Sequence, residues 1–254
     1  MAAFYEPLGD GRYRATAHTA GPWDPGAQHA GPPSALLGGV IERCAPRDDV
    51  MVARVTCEIL GPVLVGDVEV EARVARPGRS VELVEAVLRA EGRDAMLARA
   101  WRIRRTGEVN VPSRDAPPPP RGDSAPIPEA MRFGYLGALD WEFVRGAFGA
   151  PGPAAAWTRL AVEIVAGEAP TPLQRVLAVA DSGNGISGEL DWNAWWFINT
   201  ELTVHLHREA VGEWVCLDAT TSIAPNGVGL ATSTLSDESG PVGRGAQALL
   251  VGRR

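Results

Sequence analysis

The sequence lacks several features that mark well-known functional classes. Its three cysteines have no C-x-x-C spacing, and their odd number and apolar neighbours predict reduced core thiols. No apolar run approaches the roughly 20 residues that span a bilayer, and the amino terminus lacks the basic start and apolar segment of a signal peptide. We therefore expect a cytoplasmic protein without a membrane partner.

The sequence also lacks an excess of positive charge. It has 24 Lys and Arg residues against 31 Asp and Glu residues, for a net charge of −7. A chain that binds nucleic acid carries a basic face, and none is evident here. Neither a P-loop nor a G-x-S-x-G motif occurs. Nucleic-acid binding is thereby excluded from the expected functions.

Prolines, by contrast, are concentrated in one segment. Residues 107–128 hold seven prolines and few large apolar residues, which predicts an extended linker. This linker separates an amino-terminal half, 1–106, from a carboxy-terminal half, 129–254. The two halves show similar patterns, so a duplicated unit is expected.

Each half shows one helical pattern followed by four strand patterns. Pro32-Pro33-Ser34 opens the first helix and Pro170-Thr171-Pro172 opens the second, because proline is tolerated in a first turn. Alternating β-branched residues predict strands after the helices at Met51–Leu60, Asp67–Ala75, Ser80–Ala90, Asp94–Arg104, Trp195–His207, Glu213–Ile223, Gly229–Leu235 and Val242–Val251. Further candidates precede the helices at Gly11–Ala17, Trp141–Phe148 and Ala155–Ile164. Consecutive strands beside one helix indicate an α+β fold with antiparallel sheets.

The stretch LAVADSGNGISG allows two interpretations. Its glycines match G-x-G-x-x-G, but a dinucleotide fingerprint follows a strand and opens a helix, whereas this stretch follows a helix pattern. We therefore interpret Gly183 as a left-handed glycine that ends the helix. Asp181 then lies at the helix C-terminus, where the macrodipole disfavours a negative charge by ~0.3–1 kcal/mol. A compensating environment is expected.

Strand alternation supplies two candidate partners for Asp181. In EWVCLDATTS, Thr221 shares a face with aliphatic residues, and in GRGAQALLVG, Gln247 shares a face with Leu249 and Val251. A glutamine among core aliphatics must find hydrogen-bond partners or it costs ~1–3 kcal/mol. Each residue alone is more readily explained as structural, but both point toward the predicted core.

A second candidate site precedes the first helix. WDPGAQHAG places Asp24 and His29 five residues apart, and such a pair could exchange protons with a substrate at the helix N-terminus. The spacing resembles the catalytic segment of hot-dog enoyl-CoA hydratases, but the Asn-Pro that this family places between its Asp and His is absent. Substrate contact or helix capping is the preferred interpretation of His29.

Three stretches resemble a known family. GAQHAGPPSALLGGVIE, ILGPVLVGDVEVEARVARPGRSVELVEAVL and FINTELTVHLHR with GEWVCLDATTSIAPNGVGLATSTLSDESGPVGRGAQALL resemble the double hot-dog acyl-CoA thioesterases of the bacterial acyl-CoA thioesterase II type, especially actinobacterial members. The likeness spans nearly the whole chain apart from the linker. It implies two antiparallel sheets, each wrapped around a central helix. It also implies a hydrolase of fatty acid metabolism that cleaves fatty acyl-CoA without a metal or other cofactor.

The resemblance also implies site residues. Family members hold a water with an Asp on the second helix, a Thr or Ser on a following strand and a Gln on the last strand, which fall on Asp181, Thr221 and Gln247. Family members continue after the Asp with bulkier residues than the Ser-Gly-Asn-Gly found here. Backbone N–H groups around Gly31 would polarise the thioester carbonyl, and His29 would contact the substrate.

Two alternative functions remain open, and an oligomer is expected. One alternative is an enoyl-CoA hydratase that uses Asp24 and His29, and the other is a non-catalytic acyl-CoA-binding protein. Because hot-dog sheets usually pair, we expect a homo-oligomer, a dimer of double hot-dogs.

Overall fold

β-Strand is the commonest secondary structure of the described chain, and the strands form one continuous sheet. The computed structural model describes residues 2–107, 109, 111, 115–122 and 126–254. Its strands are β1 Ala3–Gly9, β2 Arg12–Ala15, β3 Val50–Ile59, β4 Asp67–Arg76, β5 Val81–Ala90, β6 Arg93–Arg104, β7 Leu139–Arg145, β8 Ala154–Leu160, β9 Glu163–Val165, β10 Trp195–Asn199, β11 Glu201–Leu206, β12 Val215–Ile223, β13 Val228–Asp237 and β14 Gly240–Arg253. The α-helices are α1 Gly31–Arg43, α2 Gly134–Gly137, α3 Pro172–Ala180 and α4 Gly183–Ile186.

The strand order shows that the two halves are built alike. From the centre outward, the first half runs β3-β6-β5-β4-β2-β1 and the second runs β11-β14-β13-β12-β8-β7. The central strand is β3 in the first half and β11, which follows β10, in the second. In both halves the last strand, β6 or β14, lies next to the central strand. This equivalence agrees with the predicted duplication.

The halves join into a single sheet, and the prediction of two separate sheets is wrong in this respect. Strands β3 and β11 pair antiparallel, with Val55 opposite Val204 and Cys57 opposite Leu202. The pairing satisfies backbone groups that would otherwise form two exposed sheet edges. These four side chains are buried, so the seam is also part of the core.

The two long helices, α1 and α3, begin as their sequences predict. α1 has Pro32 and Pro33 in its first turn, and α3 begins at a capping box in which Thr171 and Gln174 bond each other's backbone. The helices lie against each other, since a Cβ on Gly38 would lie 2.6 Å from Leu177 Cδ1. Both helices are therefore buried in one core beside the sheet.

Most predicted strands are confirmed within a few residues, but two predicted strands are divided and one strand was missed. The predicted strand Trp195–His207 is divided into β10 and β11 at Thr200, whose N–H bonds the Ala248 carbonyl. The predicted strand Ala155–Ile164 is likewise divided into β8 and β9, and β9 pairs parallel with β1, placing Val165 opposite Tyr5. Strand β1 was not predicted.

The described part of the predicted linker lies against the second half. The indole N–H of Trp157 donates to the Pro119 carbonyl at 2.8 Å, Arg121 forms a salt bridge with Glu142, and Ile127 is buried. The rest of 107–128, residues 108, 110, 112–114 and 123–125, lies outside the described residues. The division into 1–106 and 129–254 stays a prediction.

Within the described chain, no helix has the length and apolarity needed to cross a membrane.

Candidate active site

A cavity of about 390 Å³ lies between the two halves. Its walls come from the loop before α1, the segment after β3, the region around α2, the end of α3 with α4, and β10. Most of the lining is apolar. Polar side chains of both halves also face it, among them Gln28, His29, Asp181, Ser182, Asn184 and Asn199.

The cavity opens through a split in the sheet. Ile59 N–H bonds the Thr200 carbonyl at 2.9 Å, and beyond this point the strands follow different neighbours. Leu60 N–H bonds Ala95 on the β6 side, whereas β10 stays paired with β14. Leu60 is 56% exposed and Ile198 is 40% exposed, and both border the cavity. The cavity is therefore open to solvent and ligand at this split in the sheet.

Asp181 caps α3 and its carboxylate lies at the start of α1. The residue is 2% exposed, and the backbone N–H groups of Ala30 and Gly31 lie close enough to its carboxylate to lower its pKa. A Cβ on Gly31 would lie 2.4 Å from the Ala178 carbonyl oxygen, so glycine permits this close approach. The positive end of the α1 dipole thus offsets the negative end of the α3 dipole. This is the compensation that the sequence required.

Three side chains contact the Asp181 carboxyl group. Asn199 Nδ2 donates to Oδ1 at 2.8 Å, and Gln247 Nε2 donates to the same oxygen at 3.3 Å. His29 Nδ1 lies 3.2 Å from Oδ2. Burial raises the pKa of Asp181 to about 7, and the hydrogen bonds oppose the rise. The carboxyl group therefore exchanges its proton near neutral pH.

His29 is a neutral imidazole against this carboxyl group. Burial lowers the pKa of His29 to about 3. Gly31 N–H donates to Nδ1 at 3.1 Å, which requires the lone pair on Nδ1 and the proton on Nε2. Because the imidazole is neutral, its 3.2 Å contact with Asp181 Oδ2 is not an ion pair. The ring of Tyr135 stacks on the imidazole at 3.8 Å and holds its orientation.

Gln247 joins Asp181 to the turn that follows it. Its Nε2 donates to the Asp181 carbonyl at 3.0 Å, and its Oε1 accepts the Asn184 N–H at 3.0 Å. Gly183 begins α4 and does not adopt a left-handed conformation, so the prediction that it ends the helix this way is wrong. A Cβ there would lie 2.7 Å from Gln247 Oε1. The glycine makes room for Gln247.

Thr221 is buried but does not meet Asp181. It is 3% exposed, in agreement with its predicted inward direction, and its hydroxyl lies 2.8 Å from that of Ser187. Ser187 in turn donates to the Gly183 carbonyl at 2.8 Å. Thr221 and Gln247 both lie opposite Ala231 in neighbouring strands, which separates their backbones by roughly 10 Å. The structure brings Asp181 and Gln247 together and leaves Thr221 in a separate contact.

The contact between Asn199 and Asp181 was not predicted from the sequence. It ends β10 and shares a face with the buried Phe197. Alternation within FIN could have indicated an inward asparagine. The signal was hidden because one continuous strand was predicted, whereas the chain breaks at the next residue, Thr200.

Asp24 does not pair with His29, so the predicted Asp24–His29 pair is not formed. Asp24 is exposed, and its Oδ1 accepts the Gly26 N–H at 2.8 Å. A short side chain in a Pro-Gly turn bonds its own backbone more readily than a distant ring. The carboxyl group that faces His29 belongs instead to Asp181 in the other half.

The described residues offer few other reactive groups. They include no set of three or more His, Cys, Asp or Glu side chains placed to hold a metal ion. Burial raises the pKa of Cys57 and of Cys216 to about 12. Both thiols are therefore protonated at neutral pH and are not activated nucleophiles.

Two domain families match the sequence. The acyl-CoA thioesterase N-terminal domain family matches residues 19–103, and the acyl-CoA thioesterase C-terminal domain family matches residues 112–251. A search of curated proteins finds no match to the chain.

Several solved structures share the architecture. A Thermobifida fusca protein assigned as a thioesterase II superposes with a TM-score of 0.72 at 21% identity, covering 99% of this chain and 96% of that one. A hot-dog protein of unknown function from Alicyclobacillus acidocaldarius gives 0.71 at 14% identity, with 97% and 95% covered. The acyl-CoA thioesterase II TesB2 of Mycobacterium marinum gives 0.67 at 13% identity, with 98% and 95% covered. These likenesses show a hot-dog fold.

Proposed function

The chain belongs to the acyl-CoA thioesterase family and hydrolyses acyl-CoA thioesters, and from this premise we propose that Asp181 is the general base. One observation carries the proposal. Asp181 is a buried carboxyl group with a pKa of about 7 beside the cavity that both halves line. A carboxylate with a pKa near the working pH is ionised in a large fraction of molecules and still binds a proton strongly enough to take one from water.

In this mechanism the ionised Asp181 takes a proton from a water molecule as the water attacks the thioester carbonyl. Asn199 and Gln247 hold the carboxylate through its Oδ1 and so fix the direction from which water is activated. The tetrahedral intermediate expels the CoA thiolate. The proton held by Asp181 then passes to that sulfur, which leaves free acid, CoA and the starting carboxylate.

In this proposal His29 acts on the substrate oxygen, and Gly31 acts on His29. The Nε2–H of His29 donates a hydrogen bond to the thioester carbonyl, because His29 lines the cavity and Gly31 N–H occupies its other ring nitrogen. Gly31 thereby sets the tautomer of the donor. Thr221 contributes indirectly, since its contact with Ser187 supports the turn after Asp181.

The proposal is tested by Asp181→Asn, a substitution of equal size. We expect thiol release from acyl-CoA to fall by about 10²–10⁴-fold, while the circular dichroism spectrum stays that of the wild type. Asp24→Asn is the matched comparison at another carboxylate of the cavity, and it should keep most of the activity because Asp24 does not contact Asp181 or His29. Unchanged hydrolysis in Asp181→Asn would end the assignment.

The same pair of variants separates the alternatives. An enoyl-CoA hydratase would hydrate crotonyl-CoA and lose that activity in Asp24→Asn. A non-catalytic binding protein would gain thermal stability with acyl-CoA and release no CoA. Neither result is expected.

We also propose a dimer of double hot-dogs. An exposed apolar row crosses the sheet beside the cavity, with Ile198 and Val228 each opposite Leu250. Such a row suits an interface between copies of the chain. Light scattering should give twice the chain mass of 26.9 kDa, and Leu250→Glu should return the monomer.

Cytoplasmic location and a part in fatty acid metabolism stay predictions.

A further inference from the structure

The cavity is unusually rich in aromatic side chains. The chain has eight Trp, three Tyr and five Phe residues. Six of them line this one cavity, namely Trp23, Phe133, Tyr135, Trp141, Phe148 and Trp192. Aromatic rings have only two side-chain torsions, so a wall built from them is stiff and keeps its shape.

The rings on one side of the cavity hold one another in place. Trp23 and Trp192 stack with centroids 4.8 Å apart and an angle of 17°. Phe197, which is buried behind them, meets both indoles nearly edge to face at 5.2 and 4.8 Å. Phe148 lies 6.2 Å from Trp192. These contacts join the loop before α1 to the loop before β10, so the wall is contributed by both halves.

Strand β10 sets the distance from this wall to the proposed base. Asn199, which donates to Asp181, and Phe197 lie on the same face of β10 two residues apart. That spacing is about 7 Å along the strand. A ring separated by one or two carbons from the thioester carbonyl would thus reach the indoles while the carbonyl stays beside Asp181.

The size of the cavity and the entropy cost of fixing a flexible acyl chain both favour a rigid aryl group. A cavity of about 390 Å³ is near the lower end of small-molecule sites and must also admit the pantetheine end of CoA. A straight chain loses freedom at every bond that the cavity fixes, whereas an aryl group is already rigid. Ring-to-ring contacts add to the gain from burial alone.

We propose that this thioesterase prefers aryl-substituted acyl-CoA substrates, of the arylacetyl and arylpropanoyl class, over straight-chain acyl-CoA. This proposal rests on the proposed function because it takes Asp181 as the reacting end of the cavity. Trp23 and Trp192 are the residues that determine the preference, and Phe197 holds them in position.

The test compares phenylacetyl-CoA with octanoyl-CoA, which has the same number of acyl carbons, and with palmitoyl-CoA. We expect kcat/KM for phenylacetyl-CoA to exceed that for octanoyl-CoA by about tenfold, the value of one or two ring contacts. Trp192→Leu should bring the ratio close to one, and Trp192→Phe should retain most of it. Trp214→Leu is the control, because Trp214 packs between Arg121 and Arg159 outside the cavity lining.

A wild-type preference for octanoyl-CoA or palmitoyl-CoA would overturn the proposal, as would an unchanged ratio in Trp192→Leu. Failure of the proposed function is recognised separately, because Asp181→Asn would then hydrolyse acyl-CoA at the wild-type rate. In that case calorimetry with the non-hydrolysable thioether analogues of phenylacetyl-CoA and octanoyl-CoA decides the preference. Tighter binding of the phenyl analogue supports it, and equal or weaker binding contradicts it.

Discussion

At the scale of single residues, Asp181 shows how one environment governs both reactivity and stability. Burial raises its pKa to about 7, against about 3.9 in an unfolded chain. The folded protein therefore holds this proton more tightly, and the contribution of Asp181 to the free energy of unfolding falls as pH rises from about 4 to about 7. Above pH 7 the buried charge is destabilising.

Asp181→Asn should consequently be more stable than the wild type at pH 8, by about 4 kcal/mol at most for a shift of this size. The asparagine carries no charge to bury, and its remaining side-chain oxygen can still accept from Asn199. Thermal unfolding followed by circular dichroism at pH 8 and pH 5 measures the effect. We expect the difference in Tm to shrink at pH 5, and a larger gain at pH 5 would contradict the raised pKa.

Asn199 should control the pH profile of hydrolysis. The wild-type kcat/KM is expected to fall about tenfold per pH unit below about pH 7, where Asp181 is protonated. Asn199→Leu removes a donor that favours the charged carboxylate, so the acid limb should move to higher pH. Asn193→Leu, which changes an exposed asparagine, is the control. If activity falls but the acid limb of the pH profile does not move, Asn199 has only a structural role.

At the scale of elements, the short helix α4, which follows α3, contains two glycines with different surroundings. A Cβ on Gly183 would lie 2.7 Å from Gln247 Oε1, whereas a Cβ on Gly185 would meet no atom within 4 Å. Both residues lie in α4, so alanine has the same intrinsic effect on the helix at either position. The pair therefore isolates the contact with Gln247.

Gly183→Ala should displace Gln247 and lower kcat at least tenfold by disturbing a base-orienting hydrogen bond. Gly185→Ala, which adds a methyl group beside the cavity, can change KM but should keep kcat closer to the wild type than Gly183→Ala does. Steady-state kinetics and chemical denaturation of both variants check the prediction. Equal kcat values would show that Gln247 tolerates displacement.

At the scale of the whole molecule, the two halves share a sheet seam and a helix contact. Strand β3 pairs with β11, and α1 packs on α3. Because the core residues of both halves form one cluster, neither half can open without exposing part of the other. We expect one cooperative urea transition, with superimposable curves from tryptophan fluorescence and far-ultraviolet circular dichroism. Two separated transitions would indicate halves that unfold independently.

The prediction from sequence succeeded where local signals are strong. Prolines in the first turns located α1 and α3, and alternation located most strands and the inward direction of Thr221 and Gln247. These signals depend on residues that are close along the chain. A carboxylate at a helix C-terminus singled out Asp181 for a compensating environment, which the start of α1 provides. Its role as the base stays a proposal.

Only the tertiary structure decided how these elements meet. The sequence by itself determined a duplicated helix-and-strand unit and a carboxylate in need of compensation. The pairing of β3 with β11, the approach of α1 to Asp181 and the choice of Asn199 over Thr221 depend on residues far apart in the chain. Such contacts are set by the packing of whole elements in one core, which no local pattern records.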